Sequence, residues 1–167
     1  LITGFLGSGK TTFLKKYAEY LMDQGLHIGI LENDFGAINV DMLMLHELRG
    51  DQCELEMIAG GCDAESHRRR FRTKLISMRM CGYDRVLVEP SGIYDVDEFF
   101  DVLREEPLDQ WYEIGNVIAI LDARLEDNLS EQADYLLASE AANAGKVILS
   151  HADAAAREQC EDTVTHL

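Results

Sequence analysis

The sequence predicts a three-layer α/β/α domain with a mainly parallel central sheet. Apolar runs of strand length recur along the chain with helical patterns between them, which is typical of a parallel sheet covered on both faces. Most of these runs are continuously apolar, for example Val86-Leu87-Val88 and residues 117–121. Strands buried on both faces have this pattern, whereas strands with one solvated face alternate. The two observations exclude β-sandwiches and β-barrels.

The predicted elements follow from these runs and from apolar spacing. Six segments are predicted as strands: Leu1 to Thr3, His27 to Glu32, Cys53 to Ile58, Arg85 to Glu89, Asn116 to Asp122 and Lys146 to Ser150. Three helices are predicted between them from apolar residues at helical spacing: Thr11 to Gln24, Ser66 to Met80 and Leu129 to Asn143. Gly25 directly after the first helix is a C-cap signal.

Length and composition are those of one ordered globular domain. The chain has 167 residues, of which 47% are hydrophobic and 28% are charged, and this length is enough to bury a core. The apolar runs are shorter than the roughly 18 to 20 residues that a membrane crossing needs, so we expect a soluble protein. Leu1-Ile2-Thr3 resembles the end of a strand, and no initiator methionine precedes it. We therefore expect residues 1–167 to be a single domain of a longer chain.

Charge and cysteine spacing narrow the functional classes. A formal charge of −16 repels nucleic acid and anionic lipid over long range, so we expect neither as a partner. The four cysteines form no C-x-x-C pair and are too sparse for a secreted disulfide framework: Cys53, Cys62, Cys81 and Cys160. This spacing favours a reducing, cytoplasmic location.

The strongest functional pattern follows the first predicted strand. Residues 4–11, Gly-Phe-Leu-Gly-Ser-Gly-Lys-Thr, match G-x-x-x-x-G-K-[ST] and precede an amphipathic helix, which is the context of a phosphate-binding P-loop. Glycines let successive N–H groups face a phosphate, and the helix N-terminus adds partial positive charge. Lys10 then neutralises β/γ oxygens, and the Thr11 hydroxyl can ligate Mg²⁺. The alternative is a turn that binds nothing. The predicted cradle consists of Gly4, Gly7, Ser8, Gly9, Lys10, Thr11 and Thr12.

A second candidate element ends another predicted strand. In residues 86–92, Val-Leu-Val-Glu-Pro-Ser-Gly, an acidic residue is followed three positions later by glycine. Glu89 can hold the Mg²⁺ hydration shell or orient an attacking water, and the Gly92 N–H can approach a γ-phosphate because no Cβ intervenes. A solvated glutamate in a turn is the alternative. The preceding P-loop favours the functional interpretation.

A third element, residues 32–41, follows the second predicted strand. It opens at the same carboxyl edge of the sheet, where ligands of open α/β folds bind. Its carboxylates, Asp34 and Asp41 among them, are therefore candidates to reach the metal. The alternative is an ordinary polar loop.

Together these residues resemble the CobW-like GTPases, a P-loop NTPase family that includes proposed metal chaperones and is related to nickel-insertion and cobalamin-enzyme accessory GTPases. The resemblance rests on residues 4–12 for GxxGxGKTT, 33–36 for N-E-F-G, 89–92 for E-[TP]-[TS]-G and 121–123 for V-D-A. It implies a P-loop fold and a slow, Mg²⁺-dependent GTPase. Such a protein would couple its nucleotide state to delivery of a metal or cofactor to a client protein. Assembly into a homo-oligomer is left as an open possibility.

Two departures from the family pattern affect the expected sites. Where the family has G-C-x-C-C, this chain has residues 61–65, Gly-Cys-Asp-Ala-Glu. Cys62 could still hold Zn²⁺ or Co²⁺ with Glu65, His67 or Cys53, although a lone buried cysteine is the commoner case. Where the family has N-K-x-D, residues 150–153 are Ser-His-Ala-Asp. The Asp153 carboxylate can accept hydrogen bonds from guanine N1–H and N2–H₂, so we expect GTP ahead of ATP.

Other functional classes stay open at this point. One is an ATP-dependent P-loop kinase of a small acceptor, and another is a degenerate nucleotide-binding module that docks partners without turnover. The basic run at residues 67–74 is a solvated, salt-bridged helix face or a docking site for an acidic partner, a second protomer or a phosphorylated ligand.

Overall fold

The computed structural model describes residues 1–5, 7–34, 40–59, 64–90, 96–124 and 131–153. Within these ranges, strands and helices alternate in the order β1 (Ile2–Thr3), α1 (Lys10–Asp23), β2 (Ile28–Asp34), α2 (Val40–His46), β3 (Cys53–Ala59), α3 (Ala64–Cys81), β4 (Arg85–Glu89), α4 (Val96–Leu103), α5 (Leu108–Trp111), β5 (Ile118–Asp122), α6 (Glu131–Asn143) and β6 (Lys146–Ser150). The predicted α/β fold class is confirmed.

The strands form two parallel hydrogen-bonded ladders that lie side by side. One has the order β3-β2-β4 and the other the order β1-β5-β6. The facing edge strands, β4 and β1, approach each other with Cα atoms within 8 Å. The chain leaves β1 towards β2 and leaves β4 towards β5, so these neighbouring strands form a topological switch point. Ligands of open α/β sheets bind at the carboxyl ends of such strands.

Helices cover both faces of the sheet, as the continuous apolar strands predict. On one face, α1 packs Leu14, Ala18 and Leu21 against strand residues that include Ile28 and Ile30. On the other face, helices α3 to α5 pack against the strands through a second cluster that includes Leu31, Ile58, Phe71, Leu75, Val88, Phe99, Val102 and Leu108. Successive strand residues point to opposite faces, so β2 and β4 each contribute to both clusters.

The first helix ends where the sequence predicts. Gly25 has a φ of 81°, its N–H donates to the Met22 carbonyl at 2.8 Å, and the Leu26 N–H donates to the Leu21 carbonyl at 3.3 Å. These two bonds satisfy carbonyls that the last turn leaves without intrahelical partners. Glycine is suited to this position because it adopts a positive φ without a Cβ clash.

Three helices lie outside the sequence prediction. Residues 40–41, which end the predicted polar loop of residues 32–41, begin α2, and no elements were predicted for the rest of α2 or where α4 and α5 lie. The four residues of α5 barely complete one turn, so they show no periodicity. Other bounds shift by a few residues: β2 continues to Asp34, β5 begins at Ile118, and α6 begins at Glu131. Residues 129–130, the start of the third predicted helix, lie outside the described ranges.

The basic run lies on α3 and pairs with neighbouring carboxylates. Arg68 and Arg72 lie 2.5 and 3.1 Å from Glu105, and Lys74 lies 2.7 Å from Glu56. These contacts support the interpretation as a solvated, salt-bridged face, where such pairs contribute little stability.

Among the helices of the described ranges, none has the length and apolar character needed to cross a membrane.

Candidate functional site

The glycine-rich loop between β1 and α1 has the backbone geometry of an anion cradle. Gly4, Gly7 and Gly9 have φ values of 139°, 80° and 91°. The Ser8 N–H donates to the Phe5 carbonyl at 3.1 Å, which closes the turn. Residues other than glycine rarely adopt these φ values, so the glycine spacing of the sequence permits the curl that turns backbone N–H groups inward.

Gly4 is fixed by its neighbour on β5 as well as by its φ. A Cβ at this position would clash with the Ile120 carbonyl oxygen and would lie 2.9 Å from Ser8 Oγ. The loop therefore begins in direct contact with the sheet, which holds the first residue of the cradle in place.

The N-terminus of α1 lies beneath the loop and is not neutralised by an acidic side chain in its own first turn. Gly9 is the N-cap of α1, and the first turn carries no acidic residue, so its partial positive charge can act on a ligand. Ser8 is 2% exposed, and within the described ranges its Oγ has no hydrogen-bond partner. A buried hydroxyl and an uncompensated helix end fit a phosphate group.

Lys10 is directed over the same loop. Its side chain is buried, with the residue 7% exposed, and Nζ donates to the Phe5 carbonyl at 3.0 Å. A buried ammonium group needs anionic or carbonyl partners. A phosphate bound in the cradle would supply them. Thr12, the last residue of the predicted cradle, is exposed on α1.

Thr11 and Glu89 meet at the switch point between β1 and β4. Thr11 Oγ1 donates to Glu89 Oε1 at 3.2 Å, and both residues are buried. They bring oxygen ligands together, which is the donor set that Mg²⁺ prefers. Asp34 ends β2 and Asp41 is the second residue of α2; neither side chain lies within the described part, and Gly92 lies outside it. The metal roles of both aspartates stay predictions.

The structure adds Glu32 to this site. Glu32 is the Cα partner of Glu89 in the parallel β2–β4 ladder and is 3% exposed. Paired residues of neighbouring strands point to the same face, here the face covered by α1. The sequence carried a signal for this pairing: Leu31-Glu32 and Val88-Glu89 both end an apolar strand with a carboxylate.

The predicted base site lies at the ends of β5 and β6. Arg124 donates to Asp122 through Nε at 3.0 Å and Nη2 at 2.8 Å, and His151 Nδ1 lies 3.1 Å from Asp122 Oδ2. These hydrogen bonds, those from Arg124 first, lower the pKa of Asp122 to about 2. Asp122 is therefore ionised, and its carboxylate oxygens are bound by Arg124 and His151 of the same chain. Asp153 is exposed at the same edge and stabilises the charge of Arg124.

The predicted transition-metal site falls largely outside the described ranges, because Cys62 does. Cys53, one of the residues suggested to help Cys62, is the first residue of β3. This strand has seven residues and is therefore about 20 Å long. Burial raises the pKa of its thiol to about 11, which disfavours the thiolate that metals bind. The metal role of Cys53 stays a prediction. Within the described ranges, no three His, Cys, Asp or Glu residues gather into a metal-binding group.

Comparison with known proteins agrees with this geometry. The family model described as the CobW/HypB/UreG nucleotide-binding domain matches residues 1–167. The zinc chaperone YjiA of Escherichia coli K12 is 30% identical over 167 residues, covering 93% of this chain and 49% of YjiA. The zinc chaperone YeiR of the same organism is 32% identical over 126 residues, covering 75% of this chain and 37% of YeiR. The chain thus spans half or less of these relatives.

A solved structure has the same fold. The crystal structure of the Zn(II)-bound YjiA GTPase from E. coli matches 98% of this chain and 52% of that chain, with a TM-score of 0.62 and 22% sequence identity. The match supports the P-loop NTPase architecture of the sheet and its helices.

Proposed function

This chain belongs to the CobW/HypB/UreG nucleotide-binding domain family, and we propose that it is a Mg²⁺-dependent GTP-binding domain that hydrolyses GTP slowly and couples its nucleotide state to delivery of a metal, Zn²⁺ first, to a client protein. The observation that carries the proposal is the cradle: Lys10 and Thr11 are buried at the N-terminus of α1, and Thr11 contacts Glu89. Relatives described as zinc chaperones support the metal part.

The loop residues would bind and orient the triphosphate. Backbone N–H groups of the curled loop and the Lys10 ammonium face the β- and γ-phosphates in this proposal. Lys10 would exchange its contact with the Phe5 carbonyl, at 3.0 Å, for phosphate oxygens. That exchange replaces a neutral acceptor with a charged one, which forms a stronger hydrogen bond.

Thr11 and Glu89 would position the hydrolytic centre. Thr11 Oγ1 is a direct Mg²⁺ ligand in this proposal, while Glu89, and Asp34 or Asp41 from the neighbouring element, act on the metal-bound waters. Mg²⁺ held by these residues would supply positive charge that neutralises the charge developing on the phosphate oxygens. In this proposal Glu89 would also orient the attacking water, and the end of its strand at the switch point beside the cradle supports that role.

A nucleotide panel tests the proposal. Affinity and hydrolysis of GTP and ATP are measured by calorimetry and phosphate release, with Mg²⁺, and with or without Zn²⁺ or Co²⁺. We expect tighter binding of GTP than of ATP and slow Mg²⁺-dependent turnover. Adding Zn²⁺ should change either the nucleotide affinity or the rate of hydrolysis. Phosphate transfer to a small acceptor would indicate the kinase alternative, and binding without turnover the degenerate module.

Asp153 is proposed to select guanine, and its replacement gives a direct test. Asp153→Asn should narrow the preference for GTP over ATP about tenfold or more, because the carboxylate that accepts from guanine N1–H and N2–H₂ is lost. The variant should gain affinity for xanthosine triphosphate, whose oxygen at position 2 can accept a hydrogen bond from the new amide N–H. The measurement is competition among the three nucleotides. Asp109→Asn, an equal change at an exposed position on α5, should leave the ranking unaltered, and equal binding of GTP and ATP by the wild type contradicts the assignment.

Cys62 is proposed as a weak Zn²⁺ or Co²⁺ ligand. One thiolate helped by carboxylate or imidazole binds these ions less tightly than three thiolates. We expect at most one metal equivalent, lower affinity in Cys62→Ser, and one or two thiolate charge-transfer bands at most with Co²⁺. Cys81→Ser removes a thiol that is exposed at the end of α3 and should bind as the wild type does. Identical Zn²⁺ affinity in Cys62→Ser and wild type would remove the metal role of this residue while leaving nucleotide binding intact.

A further inference from the structure

A groove lies beside β3, the strand at one end of the strand order β3-β2-β4. Its volume is about 600 Å³, and it is lined by Met57 and Ile58 of β3 and by a flank of α3 that includes Arg69, Arg70 and Lys74. The groove therefore combines the backbone of an edge strand with basic side chains, and it has no part in the function proposed above.

The basic run of α3 divides between two sides of the helix. Arg68 and Arg72 pair with Glu105 on one side. On the side of the groove, Lys74 pairs with a β3 carboxylate at 2.7 Å, whereas Arg69 is exposed and forms no ion pair with another residue of the described ranges. A guanidinium offers a planar set of N–H donors that matches a carboxylate. Arg69 is thus placed to receive an acidic group from outside the chain.

The backbone of β3 is open at the same edge of the sheet. The Ile28 N–H of β2 donates to the Gln52 carbonyl at 2.8 Å, and residues that bond to one neighbouring strand alternate with residues that face away from it. Leu55 and Met57 therefore direct their N–H and C=O groups away from β2. Cys53 has the same orientation and exchanges bonds of 3.0 and 3.2 Å with the turn before the strand. In the part of the chain that the structure describes, Leu55 and Met57 have no such partner.

We propose that the β3–α3 groove binds an extended acidic segment of a partner protein, which adds as a strand to the edge at Leu55 and Met57 and places a carboxylate on Arg69. Unpaired N–H and C=O groups of an edge strand are a template for another strand. In strand addition the main-chain hydrogen bonds supply affinity, and alternate side chains supply specificity. The proposal does not depend on the nucleotide site.

Charge favours a partner protein over a second copy of this chain or a nucleic acid. Two copies that paired through β3 about a two-fold axis would bring their basic α3 flanks towards each other, and like charges in an interface are unfavourable. A nucleic acid lacks the peptide groups that pair with a strand, and the formal charge of −16 repels it. For a short acidic segment, charges beyond about 8 Å are largely screened at physiological ionic strength, so the cations of the groove dominate.

The probe is a fluorescent, end-capped peptide of alternating glutamate and threonine, and its binding to the full chain is measured by fluorescence anisotropy. A version N-methylated at every residue keeps the charge but cannot donate main-chain hydrogen bonds. A peptide of alternating lysine and threonine keeps the backbone but reverses the charge. We expect saturable binding of the first peptide, and binding about tenfold weaker or less for each of the other two.

Two substitutions separate the backbone from the charge. Arg69→Glu should weaken binding of the acidic peptide about fivefold or more, as for loss of an exposed ion pair, whereas Arg104→Glu, the same change at an exposed position after α4, should not. Met57→Pro removes the outward N–H, and proline is tolerated in an edge strand where that N–H faces solvent. This variant should fold by circular dichroism and lose most of the binding.

The results decide the proposal in either direction. Absence of saturable binding, or equal binding of the N-methylated peptide, overturns strand addition. Equal affinity in Arg69→Glu and Arg104→Glu overturns the role of the groove cation. If Met57→Pro does not fold, the N-methylated peptide and Arg69→Glu decide in its place. Self-association in analytical ultracentrifugation that Arg69→Glu strengthens, without binding of the acidic peptide, would assign the edge to a second copy and overturn the partner proposed here.

Discussion

Replacing Lys10 with alanine should weaken triphosphate binding by about tenfold to a hundredfold or more. A hydrogen bond between a charged donor and a charged acceptor contributes roughly 1.5 to 3 kcal/mol, and each 1.4 kcal/mol is a factor of ten in affinity. Lys10 is the cation that lies within the cradle, buried and bonded to the Phe5 carbonyl. The loss should be larger for GTP than for GDP because, in the proposed site, the lysine would face the γ-phosphate as well as the β-phosphate.

Calorimetry of GTP and GDP with Mg²⁺ checks this result. Lys16→Ala is the matched control, since it removes the same charge from an exposed position on the same helix. An unchanged affinity in Lys10→Ala would eliminate the phosphate-loop interpretation, whatever the backbone geometry. Equal losses in both lysine variants would indicate that the general repulsion between a nucleotide and an acidic chain of charge −16, rather than the loss of a placed ammonium group, causes the weaker binding.

The cradle could be predicted from the sequence because all its determinants are local. Gly7 and Gly9 supply the positive φ values, and the amphipathic pattern that follows them predicts the helix whose N-terminus faces the loop. The strands could be predicted for a similar reason: burial on both faces leaves an unbroken apolar run such as Val86-Leu87-Val88. In these segments one short stretch of sequence contains the whole physical cause of the structure.

The contacts that join distant segments could not be predicted in this way. Gly4 and the Ile120 carbonyl are brought together only by the fold, and nothing near either residue in the sequence marks the contact. The same holds for His151, whose ring meets Asp122 because β5 and β6 are neighbours in parallel register. Strand order is set by the packing of the entire chain, whereas periodicity reports only which face of an element is buried.

The short helices were missed for a different reason. Residues 40–41 were expected in a loop because they follow the second predicted strand and Asp41 was a candidate metal ligand, yet these residues begin α2. In α4, Phe99 and Val102 are buried against α3 and β4, but a helix of eight residues offers too few apolar positions for a clear period. Tertiary packing, rather than local propensity, stabilises helices of this length.

The charge of Glu89 is expected to matter far more for turnover than for binding. Glu89→Gln keeps the size of the side chain and an oxygen that can accept from Thr11 Oγ1, as Glu89 does at 3.2 Å. It removes the negative charge needed to organise metal-bound or attacking water. We expect GTP hydrolysis to fall by roughly a hundredfold or more, as for loss of an acid–base or water-positioning group, while GTP affinity changes only a few-fold.

Single-turnover hydrolysis measured beside equilibrium GTP binding separates the two effects. Glu19→Gln makes the same change at an exposed position of α1 and should hydrolyse GTP at the wild-type rate. A fall in affinity as large as the fall in rate would mean that Glu89 holds Mg²⁺ tightly in the ground state as well, since that loss affects binding and chemistry together. Wild-type turnover in Glu89→Gln would instead make the Thr11–Glu89 contact structural, and the hydrolytic role would then pass to its buried Cα partner in the ladder, Glu32.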